Sequence, residues 1–233
     1  MNYGYDLEVN DLIEIKEFNI SFDRHNFLFK KNLSFKIDQK KKIVGIVGPS
    51  GSGKTSFLLS LSNLLPAKYG TVHYRIDDHD IILSNDKGTL LDGNYASFIP
   101  QHVWGLENLT IEQNAAVAVG TTRLSNDKKK YLRDLASQID LFYNLRTKFK
   151  KLSVGERQRY SVIFMLLREP KLLFADEVTS SLDVKNSKKV FQFLKQQLFC
   201  SQLEYIFLVT HDPHLARMCD YLIDLDFAPR SVC

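Results

Sequence analysis

Eight consecutive residues, Gly48-Pro49-Ser50-Gly51-Ser52-Gly53-Lys54-Thr55, have the composition of an anion cradle. Their small side chains let the backbone curl so that successive N–H groups point inward. Lys54 adds a point charge suited to β- and γ-phosphates, and the Thr55 hydroxyl is a hard oxygen suited to Mg²⁺. An apolar run at 43–47 leads into the loop and an apolar stretch at 57–65 follows it, so the spacing stands in a strand–loop–helix context. ATP and Mg²⁺ are the expected ligands, with Gly48, Pro49, Ser50, Gly51, Ser52, Gly53, Lys54, Thr55 and Ser56 on the nucleotide.

A second apolar run, 171–175, ends in Asp176-Glu177. Carboxylates at the C-terminal edge of a strand sit where open α/β sheets bind ligands. Asp176 would hold Mg²⁺ directly or through water, and Glu177 would act on the attacking water as general base or as an orienting group. Many strands end in solvent at two acids; the phosphate loop in the same chain favours the functional reading.

Four further short elements carry polar side chains at notable places. Gln101 follows the apolar run 95–99, and His211 follows 205–209. Leu152-Ser153-Val154-Gly155-Glu156-Arg157-Gln158-Arg159 precedes the acidic pair, and Ser181-Leu182-Asp183 follows it. Each has an ordinary alternative. Gln101 could be a solvated loop residue and His211 a turn or cap residue, while Ser153 and Glu156 have the spacing of a capping box.

Together, and in this order, these elements resemble the ABC ATPases over nearly the whole chain, from about residue 12 to 225. The segment from Leu152 is similar to that family's LSGGQ signature, Ser181-Leu182-Asp183 to its D-loop, His211 to its switch histidine and Gln101 to its Q-loop glutamine. The resemblance implies that two cassettes close head to tail, each ATP lying between one phosphate loop and the partner's signature helix. Ser153 and Gly155 would then face the opposing γ-phosphate, and Asp183 would align the two halves. His211 would hold the γ-phosphate and water. Gln101 would join Thr55 and Asp176 at Mg²⁺ and report the nucleotide state to a helical lobe that docks on a membrane subunit.

The sequence departs from the family pattern at four places. Val154 stands for the first signature glycine and, being β-branched, must keep an ordinary backbone. Glu156 stands for the usual glutamine and Val178 for a proline. The family's adenine-stacking tyrosine falls on Arg24, whose guanidinium plane could stack instead, as could His25.

These residues need a scaffold. Apolar alternation at 14–22 and 27–37 predicts two strands able to pair antiparallel. A strand and turn region is expected at 71–82, further strands at 95–99, 171–175, 205–209 and 221–225, and helices at 111–119, 127–139, from 154 onward, at 184–198 and at 214–219. Strands alternating with helices predict an α/β fold. With the resemblance, it becomes a P-loop NTPase ABC cassette with a mostly parallel core sheet, an N-terminal antiparallel β part and an inserted helical lobe. A single domain over 1–233 is expected, its core drawn from 1–100 and 169–233 and its lobe from 101–168.

Composition is consistent with this. The chain has 233 residues, 44% hydrophobic and 25% charged, and a net charge of +4 that makes no case for nucleic acid. Cys200, Cys219 and Cys233 form no metal or disulfide spacing, which suits a reduced cytoplasmic chain. Residues 1–9 contain Asp6 and Glu8 and lack an apolar core, so no signal peptide is expected. The longest apolar runs, such as 162–167, fall short of the ~20 residues that span a bilayer. A separate transmembrane permease, a second cassette (identical or related) and a position on the cytoplasmic face of the membrane follow as expectations. The stretches around 167–171 and 210–213 look like stand-alone cassettes of the lipoprotein-release and macrolide-efflux type, and importers of small solutes use similar cassettes. The competing readings are a soluble ABC ATPase of translation or DNA repair, a nucleotide sensor that barely hydrolyses, and a small-molecule kinase. The first would bring two cassettes or a long coiled coil, and the last lacks a signature helix.

Overall fold

Central strands that carry no polar alternation must be covered on both faces, and two five-residue strands here are buried at every position. They are β7 (Leu172–Asp176) and β8 (Tyr205–Val209). In this computed structural model, which describes residues 12–20, 28–29, 31–65, 69–77, 79–84 and 95–226, they lie inside a five-stranded sheet. With β3 (Lys42–Val47), β6 (Ala96–Ile99) and β9 (Tyr221–Asp224) the order is β6-β7-β8-β3-β9, every pair parallel. Successive side chains point to opposite faces, so the sheet divides two cores. Leu173, Ala175, Ile206 and Leu208 face one; Leu172, Phe174, Tyr205, Phe207 and Val209 face the other.

The second core lies under an antiparallel sheet, β2-β1-β4-β5, formed by β1 (Leu12–Asn19), β2 (Leu33–Ile37), β4 (Tyr69–Ile76) and β5 (His79–Ser84). Ile13, Ile15, Phe18 and Ile20 are buried in it, a spacing that breaks simple alternation. The cause is a bulge between Ile15 and Phe18, where Glu17 takes φ 48°. Gly70 on β4 lies against the bulge at φ 79°, and a Cβ there would stand 2.3 Å from the Lys16 carbonyl oxygen. Only glycine fits both constraints. The expected strand from 27 is shorter than read: residues 28 and 29 are outside β2, which begins at Leu33.

The first core is roofed by helices. α2 (Ile111–Ala118), α3 (Asn126–Gln138) and α4 (Val154–Leu166) enclose Ile111, Ala115, Leu132, Leu135, Tyr160 and Phe164. α5 (Val184–Cys200) contributes Val190, Phe191 and Leu194, the apolar face read from its periodicity. The largest boundary correction concerns α1. It runs Lys54–Leu61, not 57–65. It begins at once because Gly53, at φ 88°, turns the chain directly into it, and it ends because Asn63 adopts φ 60°. α6 (Pro213–Met218) starts one residue earlier than expected because Pro213 suits the first helical position.

Candidate nucleotide site

The loop between β3 and α1 follows an internal strand of the parallel sheet, which aims it at the C-terminal edge of the sheet. Gly53 cannot be replaced freely: a Cβ would lie 2.5 Å from Leu28 Cδ2, and its φ is left-handed. Lys54 is only 6% exposed, although it is a lysine. Its ammonium donates to the Gly48 carbonyl at 3.1 Å and the Pro49 carbonyl at 2.7 Å, and the Ser52 amide donates to Pro49 at 3.2 Å. The cation thus sits inside the curl of the loop. No side chain caps the first turn of α1, so its N–H groups and partial positive charge face the same space.

Asp176, last residue of β7, is 3% exposed, and its Oδ1 is buried without a hydrogen-bond partner. Burial pushes its carboxyl above the ordinary value; the Thr55 hydroxyl beside it and the Lys54 charge draw it partly back. A buried, unpartnered carboxylate oxygen next to a hydroxyl is a hard-oxygen pair of the kind that fits Mg²⁺. No group of three or more His, Cys, Asp or Glu suited to a metal occurs among the described residues. Magnesium commonly completes its shell with water and substrate phosphate.

Glu177 takes φ 48°, a costly backbone for a non-glycine residue, and its N–H donates to Val209 at 3.2 Å. This turn places its carboxylate between two distant residues. Gln101 Nε2 donates to Oε2 at 3.2 Å, and His211 Nε2 lies 2.9 Å from Oε1. The sheet order explains the meeting: β6 and β8 flank β7, so the residues just past the three strand ends converge. The alternative role of His211 as a cap is taken by Asp212, which accepts from the His214 N–H at 2.8 Å. Glu177, Thr179, Leu182 and His211 line a cleft of about 210 Å³.

The other predicted residues form a second group at the start of α4. Ser153 and Glu156 make the full capping box: Glu156 N–H to Ser153 Oγ at 3.3 Å, and Ser153 N–H to Glu156 Oε2 at 2.8 Å. Val154 has an ordinary backbone, as β-branching requires, and is 56% exposed. A Cβ on Gly155 would come within 3.2 Å of Leu182 Cδ2, so the glycine lets the D-loop-like segment pack closely. Asp183 caps α5, accepting from the Asn186 N–H at 2.9 Å. The Asn186 amide groups hold its carboxyl below the ordinary value. Among the described residues, no hydrogen bond or ion pair joins Ser153 or Gly155 to the phosphate loop.

The two groups are mechanically linked. Past Gln101, the Trp104 N–H donates to Ser161 Oγ at 3.0 Å, and Ser161 Oγ donates back to the Trp104 carbonyl at 2.8 Å. Arg157 Nη1 reaches Glu107 Oε1 at 2.7 Å. Both anchors are on α4. Sequence reasoning missed these residues and Tyr143, whose hydroxyl donates to Glu156 Oε1 at 2.7 Å. Arg24 and His25, expected near adenine, lie outside the described residues.

Residues 30–180 match the ABC transporter family. The macrolide export ATP-binding/permease protein MacB of Campylobacter jejuni subsp. jejuni is 33% identical over 197 residues, 84% of this chain and 30% of that protein. This chain therefore spans about 30% of the length of that relative. The lipoprotein-releasing system ATP-binding protein LolD of Buchnera aphidicola subsp. Acyrthosiphon pisum is 30% identical over 223 residues, 93% of this chain and 95% of that one. Among solved structures, the dimeric bacterial ABC transporter cassette MJ0796 superposes with a TM-score of 0.74 at 25% identity, covering 91% of this chain and 93% of that one. No helix among the described residues is long and apolar enough to cross a membrane. With the phosphate loop, acidic strand end and helical lobe arranged on this fold, the chain belongs to the ABC transporter family as an ATP-binding cassette.

Proposed function

We propose that this chain is the ATP-hydrolysing subunit of a transporter, pairing with a second cassette and driving a separate transmembrane permease from the cytoplasmic face of a membrane. The observation that carries the reading is the Glu177 carboxylate held between Gln101 and His211, one residue beyond the buried Asp176. Lys54 and the N–H groups of the loop and α1 bind the phosphates. Thr55 and Asp176, with Gln101, would hold Mg²⁺, which would neutralise phosphate charge. Glu177 accepts or orients a water proton, and His211 fixes the carboxylate and the γ-phosphate end. A preorganised set of this kind lowers the barrier because its dipoles need no rearrangement during reaction. Motion at Gln101 reaches α4 through the Trp104–Ser161 and Glu107–Arg157 bonds.

Lipoprotein-releasing and macrolide export proteins are among the similar proteins, and so is the zinc import protein ZnuC of Histophilus somni, so the permease sets the direction of transport. Affinity capture of the chain from detergent extract should bring down a permease subunit. The catalytic reading is tested by ATP turnover: Glu177→Gln should reduce it about a hundredfold or more while Mg-ATP still binds. Equal rates would support a nucleotide sensor instead.

A further inference from the structure

The Ser153 hydroxyl has one proton to donate, and it is already given away. It goes to Glu156 Oε2 at 2.9 Å, the same oxygen that accepts the Ser153 N–H at 2.8 Å. The other carboxylate oxygen accepts from the Tyr143 hydroxyl. Burial by itself would push the Glu156 carboxyl up, but the Tyr143 and Ser153 bonds, with the Arg159 charge, outweigh it and hold the group below its ordinary value. An anion therefore stands beside the N-terminus of α4, where the helix would otherwise present a hydroxyl and a partial positive charge.

The geometry points to Glu156 as an electrostatic brake on ATP-driven pairing: its carboxylate competes with the γ-phosphate on the opposing copy for the Ser153 proton and repels that phosphate. The inference rests on the pairing proposed above. Glutamine has the same reach and still completes a capping box, because its carbonyl oxygen can accept from the Ser153 N–H. It is a neutral acceptor, however, and holds the hydroxyl more weakly than a carboxylate does. Removing the charge also takes away one of the carboxylates that offset the buried Arg159, leaving Asp140 and Asp183 near it. Both changes favour an incoming phosphate. The brake acts on the γ-phosphate, so it discriminates ATP from ADP.

The test uses the full chain carrying Glu177→Gln to block hydrolysis, with and without Glu156→Gln. Sedimentation velocity is followed across titrations of Mg-ATP and of Mg-ADP. The dimer dissociation constant in Mg-ATP should fall about tenfold on removing the charge, with no change in Mg-ADP and a melting temperature lowered by no more than about a degree or two. Pairing seen only after Glu156→Gln would support the brake equally. An unchanged or weaker Mg-ATP dimer overturns it while leaving the paired-cassette reading intact. Absence of pairing in both proteins overturns that reading and the brake with it. As a second variant, Tyr143→Phe removes a donor that partly neutralises the carboxylate; the Mg-ATP dimer should weaken a few-fold, and tightening would also overturn the proposal.

Discussion

The end of β7 and the start of α4 both gather hydroxyl, amide and carboxylate groups, yet they are built on different principles. At β7 the partners come from far apart in the chain: Gln101, Glu177 and His211 meet because β6, β7 and β8 are neighbours in one parallel sheet. Asp176 is buried there with an unpartnered oxygen. At α4 the Ser153–Glu156 bonds span three residues and would form in nearly any helix start with this sequence. Val154 beside them is well exposed. The first group is a cluster that the tertiary fold completes. The second is a local cap presented on a surface, whose chemistry depends on what is brought to it.

Disrupting either side should expose that contrast. The largest effect is expected at the tertiary cluster. His211→Ala should lower ATP turnover about a hundredfold, with Mg-ATP affinity of the monomer retained, since the phosphate loop and Lys54 are untouched. Steady-state turnover with a separate binding titration checks this; near-normal turnover would remove His211 from the chemistry. A smaller effect is expected at the local cap. Ser153→Ala should lower turnover about tenfold, the scale of one hydrogen bond to a charged group, and should also destabilise α4 by about 1 kcal/mol through loss of the cap. If stability fell while turnover stayed the same, Ser153 would be a cap and nothing more.

The same contrast explains what was legible in the sequence. Features set by neighbours along the chain could be read directly. The capping box at Ser153 and Glu156, the fully apolar β8 and the phosphate loop each follow from residues within a few positions. Features set by backbone irregularity were harder. The 15, 18, 20 spacing of buried residues in β1 needs a bulge at Glu17 and a glycine at position 70 on the paired strand, and neither stands out in sequence. The phosphate loop places the start of α1 near Gly53, as found, whereas the apolar pattern from Phe57 to Leu65 marks only its buried face and overruns its end at Leu61. The side chains that tie the site to the lobe were not legible at all. Tyr143 lies in a loop between helices, in no motif, and reaches Glu156 only because the lobe folds it there. Gln101 and His211 were legible by resemblance; their meeting on one carboxylate follows from the strand order.

The smallest and sharpest expected effect concerns the titration of the cap. The Glu156 carboxyl is held below 4.5, its ordinary value, by the Tyr143 and Ser153 bonds that overcome its burial. A carboxyl whose folded pKa is depressed adds stability above its unfolded pKa and loses it as pH falls through the folded pKa. Native protein should therefore exceed Glu156→Gln in melting temperature at neutral pH, by about a degree or two for a partly exposed group. The gap should close as the pH is lowered below 4.5. Thermal melts of the two proteins across that range, without nucleotide, provide the measurement. A gap that stays constant with pH would mean that the carboxylate contributes through shape alone, and the charge assigned to the start of α4 would then have no measurable hold on Ser153.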